Sequence, residues 1–89
     1  MTKKRTDASY EIEALSKGLM VLEALEGSGF EPVPISRVVQ RTGLPKDTVY
    51  RSLRTLRLRG YATTNDRGEW TVGRRFIRFA AKAAEKENV

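Results

Sequence analysis

The chain has 89 residues, 39% of them hydrophobic, and a formal net charge of +6 at pH 7, which predicts one small basic domain with a modest core. It contains no cysteine and no histidine, which excludes disulfides and removes the commonest general base and metal ligand, so we expect no catalytic centre, metal or cofactor. No apolar run reaches the roughly 18 residues of a membrane span and no secretory signal is present, so we expect a cytoplasmic protein of a bacterium, archaeon or phage.

The first 31 residues divide into a tail and a helix. Residues 1–8 are polar and basic without periodicity, which predicts a disordered tail. Apolar residues then recur at helical spacing, which predicts an amphipathic first helix over residues 9–25, ended by the Glu-Gly-Ser-Gly sequence of residues 26–29. The apolar residues of this helix are Ile12, Leu15, Leu19, Leu22 and Leu25.

A short second helix is expected to begin at Pro34 or Ser36 and to end at Gly43, where a residue that tolerates positive φ ends a helix at least cost. Val33 or Ile35, at the approach to this helix, is expected to pair with a later hairpin. A third helix follows over residues 45–59.

The sequence of residues 42–51, Thr-Gly-Leu-Pro-Lys-Asp-Thr-Val-Tyr-Arg, is the most specific pattern in the chain. Pro45 has a fixed φ that suits a first helical turn. Val49, Leu53 and Leu56 then give the third helix one apolar face. Its other faces carry Arg, Lys, Thr and Tyr, which is typical of a helix that enters the major groove of DNA.

A β-hairpin is predicted over residues 61–72, where Thr, Trp and Val flank the Asn-Asp-Arg-Gly sequence of residues 65–68. Gly68 suits the positive-φ position of its loop. A hairpin directly after a recognition helix predicts a winged helix-turn-helix over residues 9–73. The expected fold class is therefore mainly α with a small β-hairpin, about four helices plus the wing.

The last helix is predicted over residues 74–86, within a linker and dimerisation segment of residues 74–89. One apolar stripe (Phe76, Phe79, Ala80 and Ala83) is expected to pack on the winged domain, which leaves a second stripe for a partner. The alternative is a helix that merely covers the core and frays. We expect a homodimer, because two-fold symmetry matches palindromic operators. The expected interface residues are Leu15, Leu19, Ile77, Ala81 and Ala84.

Charge is unevenly distributed along the chain. Residues 7–31 hold six acids and one lysine, whereas residues 32–79 hold eleven bases and three acids. Positive charge is thus concentrated where a phosphate backbone would lie. For Arg57 and Arg59 an alternative is open, since they also favour the C-terminal dipole of the third helix and its solubility.

These patterns predict double-stranded DNA as the partner, without enzymatic activity, because Asp47 and Asp66 stand isolated among bases. Asp47 either accepts from a cytosine amine or caps its helix. A winged-helix module for protein–protein contacts is the alternative function. The predicted DNA-binding residues are Ser36, Arg37, Lys46, Asp47, Thr48, Tyr50, Arg51, Arg54, Thr55, Asn65 and Arg67.

Residues 12–80 resemble the DNA-binding domain of the IclR (isocitrate lyase regulator) transcription factors. The resemblance rests on residues 17–22 (Lys-Gly-Leu-Met-Val-Leu), 42–51, 56–61 (Leu-Arg-Leu-Arg-Gly-Tyr) and 68–73 (Gly-Glu-Trp-Thr-Val-Gly). It implies a sequence-specific transcriptional regulator, expected to be a repressor. The DNA-contacting positions that it implies are Lys46, Asp47, Thr48, Tyr50 and Arg51.

Two features depart from this family pattern. Asp47 replaces the usual serine and places a carboxylate at the groove. The family's effector-binding domain is absent from this chain, which is therefore either a fragment or a free-standing short regulator. The start at Met1 and the charged C-terminal tail favour the free-standing form.

Overall fold

The computed structural model describes residues 10–87, so the predicted tail over residues 1–8 lies outside the described residues. Within that range, no helix combines the length and the apolar character needed to cross a membrane. Four helices and an antiparallel hairpin are present, which confirms the predicted fold class. The elements in chain order are α1 (Glu13–Ala24), a 3₁₀ turn (Leu25–Ser28), α2 (Ile35–Thr42), α3 (Lys46–Leu58), β1 (Ala62–Thr64), β2 (Trp70–Val72) and α4 (Arg74–Glu87).

The core lies between α1, α2, α3 and the inner side of the hairpin. Val49 and Leu53 of α3 are fully buried and Leu56 packs against them, which confirms the predicted apolar face. Ala62 and Trp70 bring the two strands into the same cluster. The hairpin therefore follows α3 in the chain and also packs against it through apolar contacts.

Only part of the apolar stripe predicted for the first helix faces the core, where Leu22 packs and Leu25 is buried. Val21 and Leu25 are buried, whereas Leu15 and Leu19 are 58% and 46% exposed, and Ile12 is exposed as well. At 100° per residue, Leu15 and Val21 point in directions about 120° apart. Val21 thus joins the C-terminal end of the predicted stripe in the core, and Leu15 and Leu19, which were predicted to lie in a dimer interface, face solvent.

Element boundaries differ from the prediction at two places. Helix α1 starts at Glu13 rather than at residue 9, and residues 26–29 contain most of a 3₁₀ turn before Gly29 adopts a φ of 65°. Pro45 lies at the N-cap of α3 with a ψ of 147°, so it precedes the first turn instead of belonging to it. Gly43, as predicted, ends α2 with a φ of 73°.

The hairpin is joined to the segment before α2. Its strands pair Ala62 with Val72 and Thr64 with Trp70. The amide of Trp70 donates to the carbonyl oxygen of Val33 at 2.7 Å, and the amide of Val33 donates back at 3.0 Å. Of the two candidates predicted to pair with the hairpin, Val33 is therefore the one that does so.

Helix α4 is attached through its first turn only. The amide of Arg75 donates to the carbonyl oxygen of Gly60 at 3.0 Å, and Phe76 is half-buried. No residue of α4 within the described range is buried, and Phe79 is 65% exposed. The predicted packing of the stripe Phe76, Phe79, Ala80 and Ala83 on the domain is thus wrong beyond Phe76. The helix leaves the domain surface after one turn, so both apolar stripes are open.

Candidate nucleic-acid interface

The outward face of α3 holds most of the predicted DNA-binding residues. Val49 and Leu53 fix the inner face against the core, so the outer face has a defined orientation. Thr48, on the flank, is half-buried, and the other predicted residues of the helix are exposed. Those exposed residues are Lys46, Asp47, Tyr50, Arg51, Arg54 and Thr55.

Arg51 has two contacts within its own helix, one through its side chain and one through its backbone. Its guanidinium lies 3.5 Å from the carboxylate of Asp47, one turn earlier, and the two side chains are 76% and 78% exposed respectively. The hydroxyl of Thr55 donates to the backbone carbonyl oxygen of Arg51 at 2.9 Å. The N-cap residue of α3 is Pro45, and Asp47 lies in the first turn, so the two predicted roles of its carboxylate stay predictions.

The start of α3 presents free backbone donors. The residue at its N-cap, Pro45, provides no side-chain cap. The amides of Lys46, Asp47 and Thr48 have no partner inside the helix, as is general for a first turn. These donors and the ammonium of Lys46 lie at the positive end of the helix dipole. The arrangement suits a phosphate oxygen.

A second aromatic and cationic pair lies further along α3. The guanidinium carbon of Arg54 stands 5.9 Å from the ring centroid of Tyr50, which is 43% exposed. At this distance the ring orients the cation without neutralising its charge. Ser36 and Arg37, at the start of α2, are also exposed; their contact with DNA stays a prediction.

The wing tip is built around Asn65. Its side-chain oxygen accepts from the amides of Arg67 and Glu69 at 3.0 and 2.9 Å, and its side-chain nitrogen donates to the Glu69 carboxylate at 2.9 Å. Asn65 therefore has a clear role within the turn, and its predicted contact with DNA is untested. Arg67 is highly exposed, with its guanidinium 3.9 Å from the Glu69 carboxylate, and is the cation that the wing tip presents.

Two arginines have roles that the sequence pattern did not reveal. Arg57 lies over the ring of Trp70 at 5.1 Å and is 3.4 Å from the Thr64 hydroxyl, so it links α3 to the wing. Arg41 donates to the carbonyl oxygen of Ala24 at 2.9 Å and is half-buried. The spacing of Arg57, seven residues after Tyr50, placed both on one flank of α3. The sequence alone did not predict that this flank faces the hairpin.

The predicted dimer residues are accessible in the single chain. Leu15 and Leu19 line a groove of about 690 Å³ between α1 and α3, whose other side includes Thr48, Arg51 and Thr55. In α4, Ile77 is 57% exposed, and Ala81 and Ala84 are exposed too. The apolar part of α1 thus lies beside the outward face of α3.

Metal-binding side chains do not cluster anywhere in residues 10–87, where no three His, Cys, Asp or Glu side chains come together. Asp66 stands exposed in the wing loop. The interface is thus a surface of exposed arginine, lysine, threonine and tyrosine side chains on a rigid helix, with a cationic wing tip beside it. Such a surface binds an extended anion.

Comparisons with known proteins agree with this geometry. Residues 14–66 match the family model of the IclR helix-turn-helix domain. The p-hydroxybenzoate hydroxylase transcriptional activator of Acinetobacter baylyi is 34% identical over 70 residues, which cover 79% of this chain and 25% of that protein.

Solved structures show the same fold. HmgR of Pseudomonas aeruginosa superposes with a TM-score of 0.74 at 25% identity, over 83% of this chain and 30% of that one. An IclR-family transcriptional regulator from Brucella abortus gives a TM-score of 0.74 at 26% identity, over 84% of this chain and 28% of that one. The chain therefore spans between a quarter and a third of the length of these relatives.

Proposed function

This chain belongs to the IclR helix-turn-helix family, and we propose that it binds a palindromic operator as a homodimer and represses transcription there. The family and its relatives support DNA-binding transcription regulation as the function of this chain. Those relatives are transcriptional regulators and not enzymes. The dimer, the palindrome and the repressor role belong to the proposal.

The observation that carries the proposal is the outward face of α3. A buried inner face fixes the helix while Arg51, Arg54 and Tyr50 project from the other side. Arg51, mid-helix, is the side chain that we assign to a base edge, where a guanidinium can donate two hydrogen bonds to guanine O6 and N7. Lys46 and Arg67 flank it at the helix start and the wing tip, and we assign them to phosphates.

A homodimer is supported by two exposed apolar surfaces. Helix α1 exposes Leu15 and Leu19, and α4 exposes Ile77, Ala81 and Ala84. Packing α4 of one copy against α1 of another would bury these apolar side chains. Two recognition helices could then reach half-sites roughly 34 Å apart.

We propose repression because it requires less of the protein than activation does. Repression needs only that the bound operator overlaps the promoter, whereas activation also needs a surface that contacts the polymerase. The Acinetobacter relative is named as an activator, so the sign has to be measured for this chain. In vitro transcription from a promoter that contains the operator decides it: transcript levels fall with added protein if the proposal holds, and a rise contradicts it.

Selection of bound sequences from a random duplex pool tests the rest. An enriched palindrome with half-sites about one helical turn apart is the expected result. Enrichment of a single asymmetric half-site would contradict the dimer while leaving sequence-specific binding intact. No enrichment above the starting pool would contradict sequence-specific recognition by α3.

A further inference from the structure

A second cationic site lies at the junction of α3 and α4, away from the residues assigned above. A hollow of about 480 Å³ opens there beside Leu58, Gly60 and Thr63. Five arginines line it. They are Arg57, Arg59, Arg74, Arg75 and Arg78.

The fold brings these arginines together through a close crossing of two glycines. A Cβ on Gly73 would lie 2.4 Å from the carbonyl oxygen of Gly60, so only glycine fits at that point. The amide of Gly73 donates to the carbonyl oxygen of Tyr61 at 2.9 Å, and that of Arg75 to Gly60. The end of α3 is thereby held against the start of α4, and the arginines of both segments share one hollow.

The charge of this cluster is not balanced within the part of the chain that the structure describes. Among residues 10–87, none of the five arginines forms an ion pair with a carboxylate. Arg57 is engaged with Trp70 and Thr64. Arg74, Arg75 and Arg78 stand in the first turns of α4, where the helix dipole is already positive and disfavours cations.

The position of the hollow indicates which anion it would bind. Leu58, at its edge, is 82% exposed and lies seven residues after Arg51. Seven residues are nearly two full turns, so both side chains are on the same face of α3, roughly 10 Å apart along the axis. The hollow therefore continues the groove-facing surface toward neighbouring DNA. A duplex carries one charge per roughly 1.7 Å, which is enough to supply several phosphates over that distance.

We propose that Arg59, Arg74, Arg75 and Arg78 bind the phosphate backbone of the duplex beyond the base pairs that α3 contacts. The inference rests on the proposed DNA binding and extends its footprint to α4. Guanidinium groups suit this task because they donate paired hydrogen bonds to phosphate oxygens. On α4, Arg75 points about 120° or more away from Ile77, Ala81 and Ala84, whereas Arg74 and Arg78 lie about 20° and 60° from Ala81. The oligomeric state of each variant is therefore measured together with its DNA binding.

Two double variants of α4, each of which removes two positive charges, test the proposal. R74A/R78A removes two cations from the hollow, and K82A/K86A removes two from the same helix outside it. We expect R74A/R78A to flatten the log–log salt dependence of duplex binding by about 1.8, the value for two phosphate contacts. We expect K82A/K86A to change it by less than half as much. Equal changes in the two variants would overturn the proposal.

A second arm identifies the source of the phosphate. Duplexes with neutral methylphosphonate linkages, moved stepwise along both flanks, should at one position remove the difference between R74A/R78A and the unmodified protein. If no position does so, the hollow does not contact the flanking backbone. If calorimetry shows inorganic phosphate binding to the unmodified protein but not to R74A/R78A, while both bind duplex alike, the hollow is a small-anion site and the proposal is wrong.

The two proposals fail in different ways. Loss of binding on Arg51→Ala, with R74A/R78A indistinguishable from K82A/K86A, contradicts only the extended footprint. An unmodified protein that shows no duplex binding contradicts the proposed function itself. Thermal unfolding checks whether R74A/R78A is folded, and we expect its midpoint not to fall, because removing cations from a helix N-terminus relieves repulsion.

Discussion

The guanidinium of Arg51 lies 3.5 Å from the carboxylate of Asp47 on the exposed face of α3. Exposed ion pairs one turn apart in a helix contribute only about 0.3–0.5 kcal/mol. A guanine edge can therefore compete for the guanidinium at little cost. Until it does, we expect the carboxylate to oppose a phosphate at the position of the Arg51 guanidinium. The pair is therefore expected to favour the correct base over non-specific contact with the backbone.

Asp47→Asn should weaken this discrimination. The amide keeps the shape of the side chain but removes the charge that repels phosphate, so we expect tighter binding to random duplex and a smaller ratio between operator and random affinity. Fluorescence anisotropy with both duplexes measures the ratio. Thermal stability should change by less than about 0.5 kcal/mol, and an unchanged ratio would show that the carboxylate has no part in selectivity.

Arg51→Ala and Arg67→Ala should separate specificity from affinity. Arg51→Ala is expected to cost about 1–3 kcal/mol on the operator and much less on random duplex, because it removes a base contact. Arg67→Ala, at the wing tip, should weaken both duplexes by similar amounts, because it removes a phosphate contact. The same anisotropy titrations apply, and the reverse pattern would show that the assumed orientation on DNA is wrong.

Salt dependence tests the charge distribution as a whole. The basic segment over residues 32–79 predicts that duplex affinity falls steeply as salt rises, with a log–log slope of about −0.9 per phosphate neutralised. Anisotropy titrations at several salt concentrations measure the slope. Binding that is weak and independent of salt would be incompatible with the surface formed by α3 and the wing.

The sequence predicted what local rules determine. Gly43, the apolar face of α3 and the positive φ of Gly68 each depend on a few neighbouring residues, and all three are confirmed. What the sequence did not predict depends on tertiary contacts. The apolar residues predicted for the first helix formed one stripe, and only packing shows that Val21 is buried while Leu15 and Leu19 are exposed.

Helix α4 and the hollow illustrate the same limit. The apolar content of α4 predicted packing on the domain, but no residue of α4 in the described range is buried, although its start is held at the Gly60–Gly73 crossing. Three arginines within five residues at a helix start were visible in the sequence. Their approach to Arg59 was not, because it depends on that crossing.

The Gly60–Gly73 crossing predicts opposite effects for two glycine substitutions. Gly73→Ala should destabilise the fold by about 1–3 kcal/mol, because its Cβ would meet the Gly60 carbonyl oxygen, which is backbone and cannot move aside freely. Gly18→Ala is the matched control: nothing lies within 4 Å of its Cβ, and alanine in α1 should stabilise by about 0.5–1 kcal/mol. Urea unfolding measures both. A neutral Gly73→Ala would mean that the crossing is not rigid.

Dimerisation can be assigned to one stripe of α4 because both stripes are exposed and can be changed in the same way. Ile77→Glu with Ala84→Glu alters the stripe that we assign to the partner, and Phe79→Glu with Ala83→Glu alters the other one. Both pairs add two negative charges to the same exposed helix, so neither should unfold the domain. A carboxylate on the partner stripe would be buried in the interface against an acidic α1, which opposes association.

The first pair should therefore give folded monomers that bind the operator far more weakly, and the second should stay dimeric. Analytical ultracentrifugation with and without DNA checks this. Monomers of the unmodified protein at tens of micromolar under both conditions would exclude the dimer, and the opposite ranking of the two pairs would move the interface to the phenylalanine stripe.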